Sequence, residues 1–367
     1  MNEDALKLAV YLGERDRCGR RLASEALLEL FERQGVRASA LLRGIEGFGV
    51  KHRLQTERLL SLSEDLPLLA LAVDAPQHIE NLLDQARAIS PHGLITLERV
   101  RLLGASEAIV LPPDAGELKL TIHLGRGERV EKRPAHLAVV DLLHGHGFAG
   151  ASVLLGLDGT VRGVRRRARF LATNAHVPLL VVGLGESERI ARALPDLSAM
   201  LEESSMTLER VQLCKRDGHL LADPTAPGVL EEAGPGCWQK LVVYAGEQAR
   251  HTGEPIYSSL IRRLRHEGAA GATALRGQWG YQGDHPPHGE RLLSLRRHVP
   301  VLTELLDTPA NMRRWFAIVD ELTAETGLVT SELVPALRTG APGFEHGRLS
   351  LAPVHPRGER TARAEPE

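Results

Sequence analysis

The chain has 367 residues, 43% hydrophobic and 25% charged, enough for two or three domains; a formal net charge of −2 excludes a global field that would draw it to nucleic acid. No apolar run approaches the roughly 18–20 residues that span a bilayer, and the acidic start MNEDALKLAV lacks a signal-peptide pattern, so no membrane insertion and a cytoplasmic location are expected. Three scattered cysteines, Cys18, Cys214 and Cys237, form no CxxC pair and read as free thiols.

In chain order, KLAVY is rich in β-formers and predicts a strand that stops at Gly13. LASEALLELFERQG then places Leu22, Ala26, Leu30 and Phe31 on one helical face, closed by Gly35 as C-terminal cap. A second strand, ASALLRG, runs into the glycine-rich RGIEGFG, and a third starts at Pro67, where a missing N–H is tolerated. Asp74 is the expected N-cap of a helix over HIENLLDQARAI, and LITLERVRLL gives a fourth strand.

The same succession occurs three times. LKLAVYLGE, LKLTIHLGR and QKLVVYAGE put Gly13, Gly125 and Gly246 in one column. Without a gap the same spacing aligns Gly44 with Gly156 and Gly277, and Gly47 with Gly159 and Gly280. TLERV at 96–100 recurs at 207–211 and loosely as TSELV at 330–334, which sets Glu98, Glu209 and Glu332 on the fourth strands as candidate cross-strand salt-bridge partners. The expected organisation is repeat 1 at 1–103, a linker at 104–117, a diverged repeat 2 at 118–214, a linker at 215–238, repeat 3 at 239–339 and a disordered tail at 340–367. Each repeat reads β-α-β-β-α-β, an α+β unit of the ferredoxin-like type. Helices cover one face of such a sheet, and the apolar second face, as in LLALAV, would be buried against the other repeats.

YLGE, RGIEGFG and the LSEDLPLLALAVD segment together resemble a PII-like family of unknown function, domain-of-unknown-function family 190. The resemblance is close over 6–103, fair over 239–338 and diverged over 118–214. It implies three tandem PII-like repeats forming a single-chain pseudo-trimer, monomeric in solution, with a regulatory, signal-transducing role. It further implies an adenine nucleotide (ATP, ADP or AMP) as effector in the clefts between repeats, no required cofactor, and signalling through the loops between strands 2 and 3. The partner it implies is a protein, such as a membrane transporter or channel, or a metabolic enzyme.

Within that frame the ligand-binding candidates are Gly13, Arg43, Gly44, Gly47, Gly49 and His52 in repeat 1, with Gly246, Arg276, Gly277, Gly280 and Gly283 in repeat 3. Glycine N–H groups can form an anion-binding nest, and guanidinium forks suit phosphate oxygens. The alternative is that the glycines only permit a bent hairpin. Repeat 2 carries Leu155 in the arginine column and a basic run at Arg165–Arg167 with Arg169, which leaves two competent sites of three as the expectation. The run has no interleaved aromatic residues and reads as solvated loop. His144 and His146, and the HPPH stretch at 285–288, have no carboxylate or cysteine at ligand spacing, so no metal site is expected. No P-loop, HExxH or Ser/His/Asp pattern argues for catalysis. A ligand-free scaffold is the alternative function, and an enzyme acting on a small anion is a weaker one.

Overall fold

The computed structural model describes residues 3–49, 52–57, 65–103, 111, 116–161, 163–168, 176–201, 204–225, 236–283, 286–289, 299–340 and 345–349. Among them are six helices and a large antiparallel sheet, an α+β arrangement. Repeat 1 contains β1 (Glu3–Gly13), α1 (Ala23–Arg33), β2 (Ala38–Phe48), β3 (Pro67–Asp74), α2 (Pro76–Ile89) and β4 (Leu94–Leu103). Repeat 2 follows with β5 (Glu117–Gly125), α3 (Ala135–Gly145), β6 (Gly150–Val161), β7 (Pro178–Glu186), α4 (Ser187–Met200), β8 (Ser205–Arg210) and β9 (Gln212–Arg216). Repeat 3 has β10 (Cys237–Gly246), α5 (Ile256–Glu267), β11 (Gly271–Arg276), β12 (Trp279–Gln282), β13 (Pro300–Asp307), α6 (Pro309–Leu322) and β14 (Leu328–Thr339).

Within each repeat the first strand lies between the third and the fourth, and the second pairs with the third: β1 with β3 and β4, β5 with β7 and β8, β10 with β13 and β14. The two helices of each repeat bury one face of this sheet, with Leu30 and Phe31 of α1 and Leu264 of α5 fully inaccessible. The opposite faces meet in a core drawn from all three repeats, including Leu42, Leu69, Leu154, Leu180, Leu275 and Leu302.

Gly35, directly after the α1 C-cap Gln34, closes that helix in the left-handed conformation (φ 65°), and Gly268 caps α5 likewise (φ 91°). Asp74 does not cap α2, whose N-cap is Ala75; instead its carboxylate accepts from the backbone N–H of Arg37 at 2.9 Å and tethers the start of β2 to the end of β3. Asp307 does the same for Ala270 at 2.9 Å and also accepts from the Trp315 indole at 2.7 Å. The tail differs from expectation over Glu345–Arg348, which pairs with the end of β14, while 350–367 lie outside the described residues.

The repeats are joined through their second and fourth strands. The first half of each second strand pairs with the second half of the next repeat's: Leu42 opposite Gly156, Val153 opposite Trp279, Leu275 opposite Gly44. The fourth strands close a second cycle, through β4 with β8, β9 with β14 and β14 with β4.

These crossings need glycine. A Cβ on Gly47, Gly159 or Gly280 would stand 2.8, 2.2 and 2.2 Å from the carbonyl oxygens of Ala272, Ser39 and Ala151, the same column in the neighbouring repeat each time. Gly159 and Gly280 also have φ of 149° and 154°. Gly44, Gly156 and Gly277 admit the rings of Pro67, Pro178 and Pro300, which begin the third strands. RGIEGF is therefore paired strand and not loop, because its hydrogen-bonding partner is another repeat.

At the centre lie three lysines and three glutamates. Lys7 contacts Glu98 at 2.6 Å and also Glu209; Lys119 contacts Glu209 at 3.0 Å and Glu332 at 2.9 Å; Lys240 contacts Glu332 at 2.9 Å and Glu98 at 2.7 Å. The result is a closed ring of six alternating charges, all buried or nearly so. Burial alone would raise the Glu98 and Glu332 carboxyls, but the lysines outweigh it and hold Glu98 well below, and Glu332 below, the ordinary range.

Gly280→Ala is expected to destabilise the protein by at least about 2 kcal/mol, since it adds a clash to an unfavourable φ; urea melts check this, and an unchanged midpoint would contradict the crossing. Glu209→Gln strands lysine charge in the interior and is expected to cost about 3–5 kcal/mol. A pH series separates the ring from a buried histidine beside it. His123 has its pKa lowered to about 4, by burial and then by Lys7. A histidine depressed in the folded state contributes stability that is complete above the unfolded value near 6.5 and is lost as pH falls toward about 4. His123→Phe should therefore lose about 1 kcal/mol less than wild type between pH 7.5 and 5.5. The depressed carboxyls act lower, withdrawing support only as pH drops below about 4.

Candidate functional site

The boundary of repeats 1 and 3 encloses a cavity of about 130 Å³. Repeat 1 supplies the end of β1, the end of β2 with the segment after it, and the turn before β4; repeat 3 supplies Ala270–Thr273, Leu306 and Arg338. The walls are apolar at Leu12, Phe48, Leu68 and Leu94, while Arg53, His92 and Arg338 bring basic groups and Asp16 and Asp65 acidic ones. A mixed lining of this kind suits a ligand with a planar apolar part and an anionic part.

His52 lies beside the cavity's aromatic wall. It has φ 48°, its ring stacks on Phe48 at 6.0 Å between centroids, and its carbonyl accepts from Arg265 at 3.2 Å. Burial, then the charges of Arg338 and Arg265, lower its pKa, so it is neutral near pH 7. Arg338 is itself held below the ordinary arginine value, chiefly by burial.

The expected site residues separate into groups. Gly13 and Gly49 line the cavity. The Gly13 N–H donates to Asp16 Oδ2 at 2.7 Å, and a Cβ on Gly49 would meet nothing within 4 Å. Gly44, Gly47, Gly277 and Gly280 serve the strand crossings. Gly246, the counterpart of Gly13, has open space around it; Gly283 (φ 59°) donates its N–H to Ala149 O at 2.9 Å.

Arg43 lies outside the cavity and pairs with Glu14 at 3.1 Å. Arg276 makes the equivalent pair with Glu247 at 2.8 Å and a second with Glu57 at 2.8 Å, in a separate polar cavity of about 210 Å³ between repeats 1 and 3. In repeat 2, where Leu155 replaces the arginine, Arg126 replaces the glutamate. The two columns change together, as members of an ion pair do.

Arg53, His92 and Arg338 were not singled out by sequence. Arg53 stands just past the glycine stretch, and Arg338 reaches repeat 1 only through the pairing of β14 with β4. The basic run of repeat 2 proves to be an internal fastening. Arg165 holds Asp158 in a two-pronged pair (Nε–Oδ1 2.9 Å, Nη2–Oδ2 2.6 Å) and reaches Glu32 of α1 at 3.1 Å, while Arg167 pairs with Glu25 at 2.8 Å; Arg169 lies outside the described residues. His144 packs edge-on to Tyr281 and His146 pairs with Asp196 at 2.9 Å. His288 meets the Pro286 carbonyl at 2.7 Å, and His285 lies outside the described residues.

Among the described residues the oxygens of Glu98, Glu209 and Glu332 come close enough together to hold a metal ion, but the three lysines already balance their charge. Beside the ring, lined in part by Lys7, Glu98, Lys119 and Lys240, is a cavity of about 60 Å³, where Tyr11 donates to Glu304 at 2.7 Å. No helix among the described residues is long and apolar enough to cross a membrane.

Comparison with known proteins agrees with the repeat pattern. A protein of Aquifex aeolicus (strain VF5) described as a UPF0166 protein is 29% identical over 98 residues, 26% of this chain and 90% of its own length. A second UPF0166 protein match from that organism is 34% identical over 74 residues, 20% of this chain and 76% of the relative. Among solved structures, aspartate kinase from Synechocystis superposes over 93% of this chain and 46% of its own, at 11% identity and a TM-score of 0.22. The model of the DUF190 family, described as an uncharacterized ACR, matches residues 5–102, 117–213 and 238–336, so the chain belongs to that family and carries three tandem copies of its domain.

Proposed function

We propose that the protein is a PII-like regulatory protein: a single-chain pseudo-trimer of ferredoxin-like repeats that binds an adenine nucleotide, or a comparable anionic ligand, between repeats. The observation that carries this reading is the repeat 1–repeat 3 cavity. It combines an apolar slot with Arg53 and Arg338, and it lies at the root of the segment joining β2 to β3. A ligand held there favours one arrangement of that segment, which a partner protein then reads. The protein acts in this view by binding and not by catalysis, on a cytoplasmic partner or the cytoplasmic side of a transporter or channel.

Arg53→Ala and Arg338→Ala are each expected to weaken ATP binding about 10- to 100-fold, the value of a charge-assisted hydrogen bond. Arg43→Ala, which only opens the pair with Glu14, should leave affinity within about threefold. Titration calorimetry with ATP, ADP and AMP, with light scattering to confirm a 40.0 kDa monomer, makes the comparison. No binding by the wild type at millimolar nucleotide would instead favour the scaffold.

A further inference from the structure

Resting on the reading of the repeat 1–repeat 3 cleft as a ligand site, we propose that this cleft alone of the three is built to admit a ligand, and that the Gln282 side chain permanently occupies its counterpart between repeats 2 and 3. The strand registers make the clefts comparable. Phe48 stands opposite Ala272, which brings Gly49 to the level of Gly271; in the next junction Gln282 stands opposite Gly150, the residue equivalent to Gly271. Val161 holds the same column in repeat 2. The same position thus carries a hydrogen atom, a propionamide and an isopropyl group.

The propionamide shows what the position recognises. With its oxygen turned toward the donors around it, the Gln282 amide accepts from the backbone N–H of Gly327 at 2.9 Å and of Leu328 at 3.2 Å. Leu328 lies opposite Tyr244 as Leu94 lies opposite Tyr11, so Gly93 and Leu94 form the equivalent edge in repeat 1. Both line the open cavity, and the Gly93 N–H makes only a long 3.3 Å bond to the Thr339 hydroxyl. Where Gly49 supplies no side chain, the ligand brings the acceptor. It is a molecule with an amide-like carbonyl or a ring nitrogen, as in a nucleobase, and an anionic group for Arg53 or Arg338. The ligand does from outside what Gln282 does from within.

Calorimetry on the full chain with adenosine and with ATP should give one site per chain. Gly49→Gln, at a position whose φ is not positive, should weaken binding at least about tenfold. Gln282→Gly should open a second site. Hydrogen–deuterium exchange without ligand supplies an independent arm: Gln282→Gly should speed exchange at Gly327 and Leu328 by about tenfold or more, and Gly49→Gln should slow it at Gly93. Two or three sites in the wild type, or unchanged binding in Gly49→Gln, would overturn the proposal while leaving the nucleotide reading intact. If the wild type binds neither adenosine nor ATP, that reading falls, and exchange unaltered in both variants would overturn this one too.

Discussion

Six charges at the centre set the terms for the whole molecule. Burying a single lysine or glutamate costs several kcal/mol, and the loss is recovered only when opposite charge is close and well placed. Each glutamate of the ring meets the lysine of its own repeat and that of a neighbour: Glu98 touches Lys7 and Lys240, and Glu332 touches Lys240 and Lys119. No repeat can therefore bury its own pair without the other two. A register slip in any first or fourth strand would also turn lysine or glutamate toward a helix-covered face. The ring acts as a pin that fixes register and number together.

Around that pin the second strands cross so closely that side chains are excluded at set points. The glycines at 47, 159 and 280 let one backbone approach another, and the glycines at 44, 156 and 277 let in the proline that starts the next strand. Past the crossing the chain reaches the clefts, where the three copies diverge. Two residues past the last crossing glycine, the three copies carry Gly49, Val161 and Gln282. The repeat 1–repeat 3 cavity is walled by the ends of β1, β2 and β11 together with the segments after β2 and before β4.

Much of this is legible in the sequence. The β-α-β-β-α-β order and the threefold recurrence follow from periodicity and capping, which are local; the face of α1 is legible only in part, since Leu22 precedes the helix as its N-cap and Leu27 and Leu28, not Ala26, are buried with Leu30 and Phe31. The glutamate column was recognisable as a pairing position, but its lysine partners were not singled out. A lysine inside LKLAV looks like the solvent side of an alternating strand, and only three such strands facing one another bury it. The glycines of RGIEGFG have the composition of a loop because their partner strand comes from elsewhere in the chain. Glu345–Arg348 escaped notice for a similar reason: EHGR has little strand propensity, and its pairing is imposed by the end of β14. Contacts between repeats are a property of the assembly, and single-segment reasoning does not reach them.

The covalent joining of the three repeats has a consequence for how such a molecule can change over time. In an assembly of identical chains every substitution is written three times, so a variant that improves one pocket alters all of them at once. Here each copy mutates alone. The lysine–glutamate ring resists this freedom, since any single change strands its neighbours, and so it is held in all three copies. The cleft column tolerates it, and carries glycine, valine and glutamine. At that one column, the glutamine turns its amide onto the Gly327 and Leu328 N–H groups of its own repeat, whereas the glycine leaves open space.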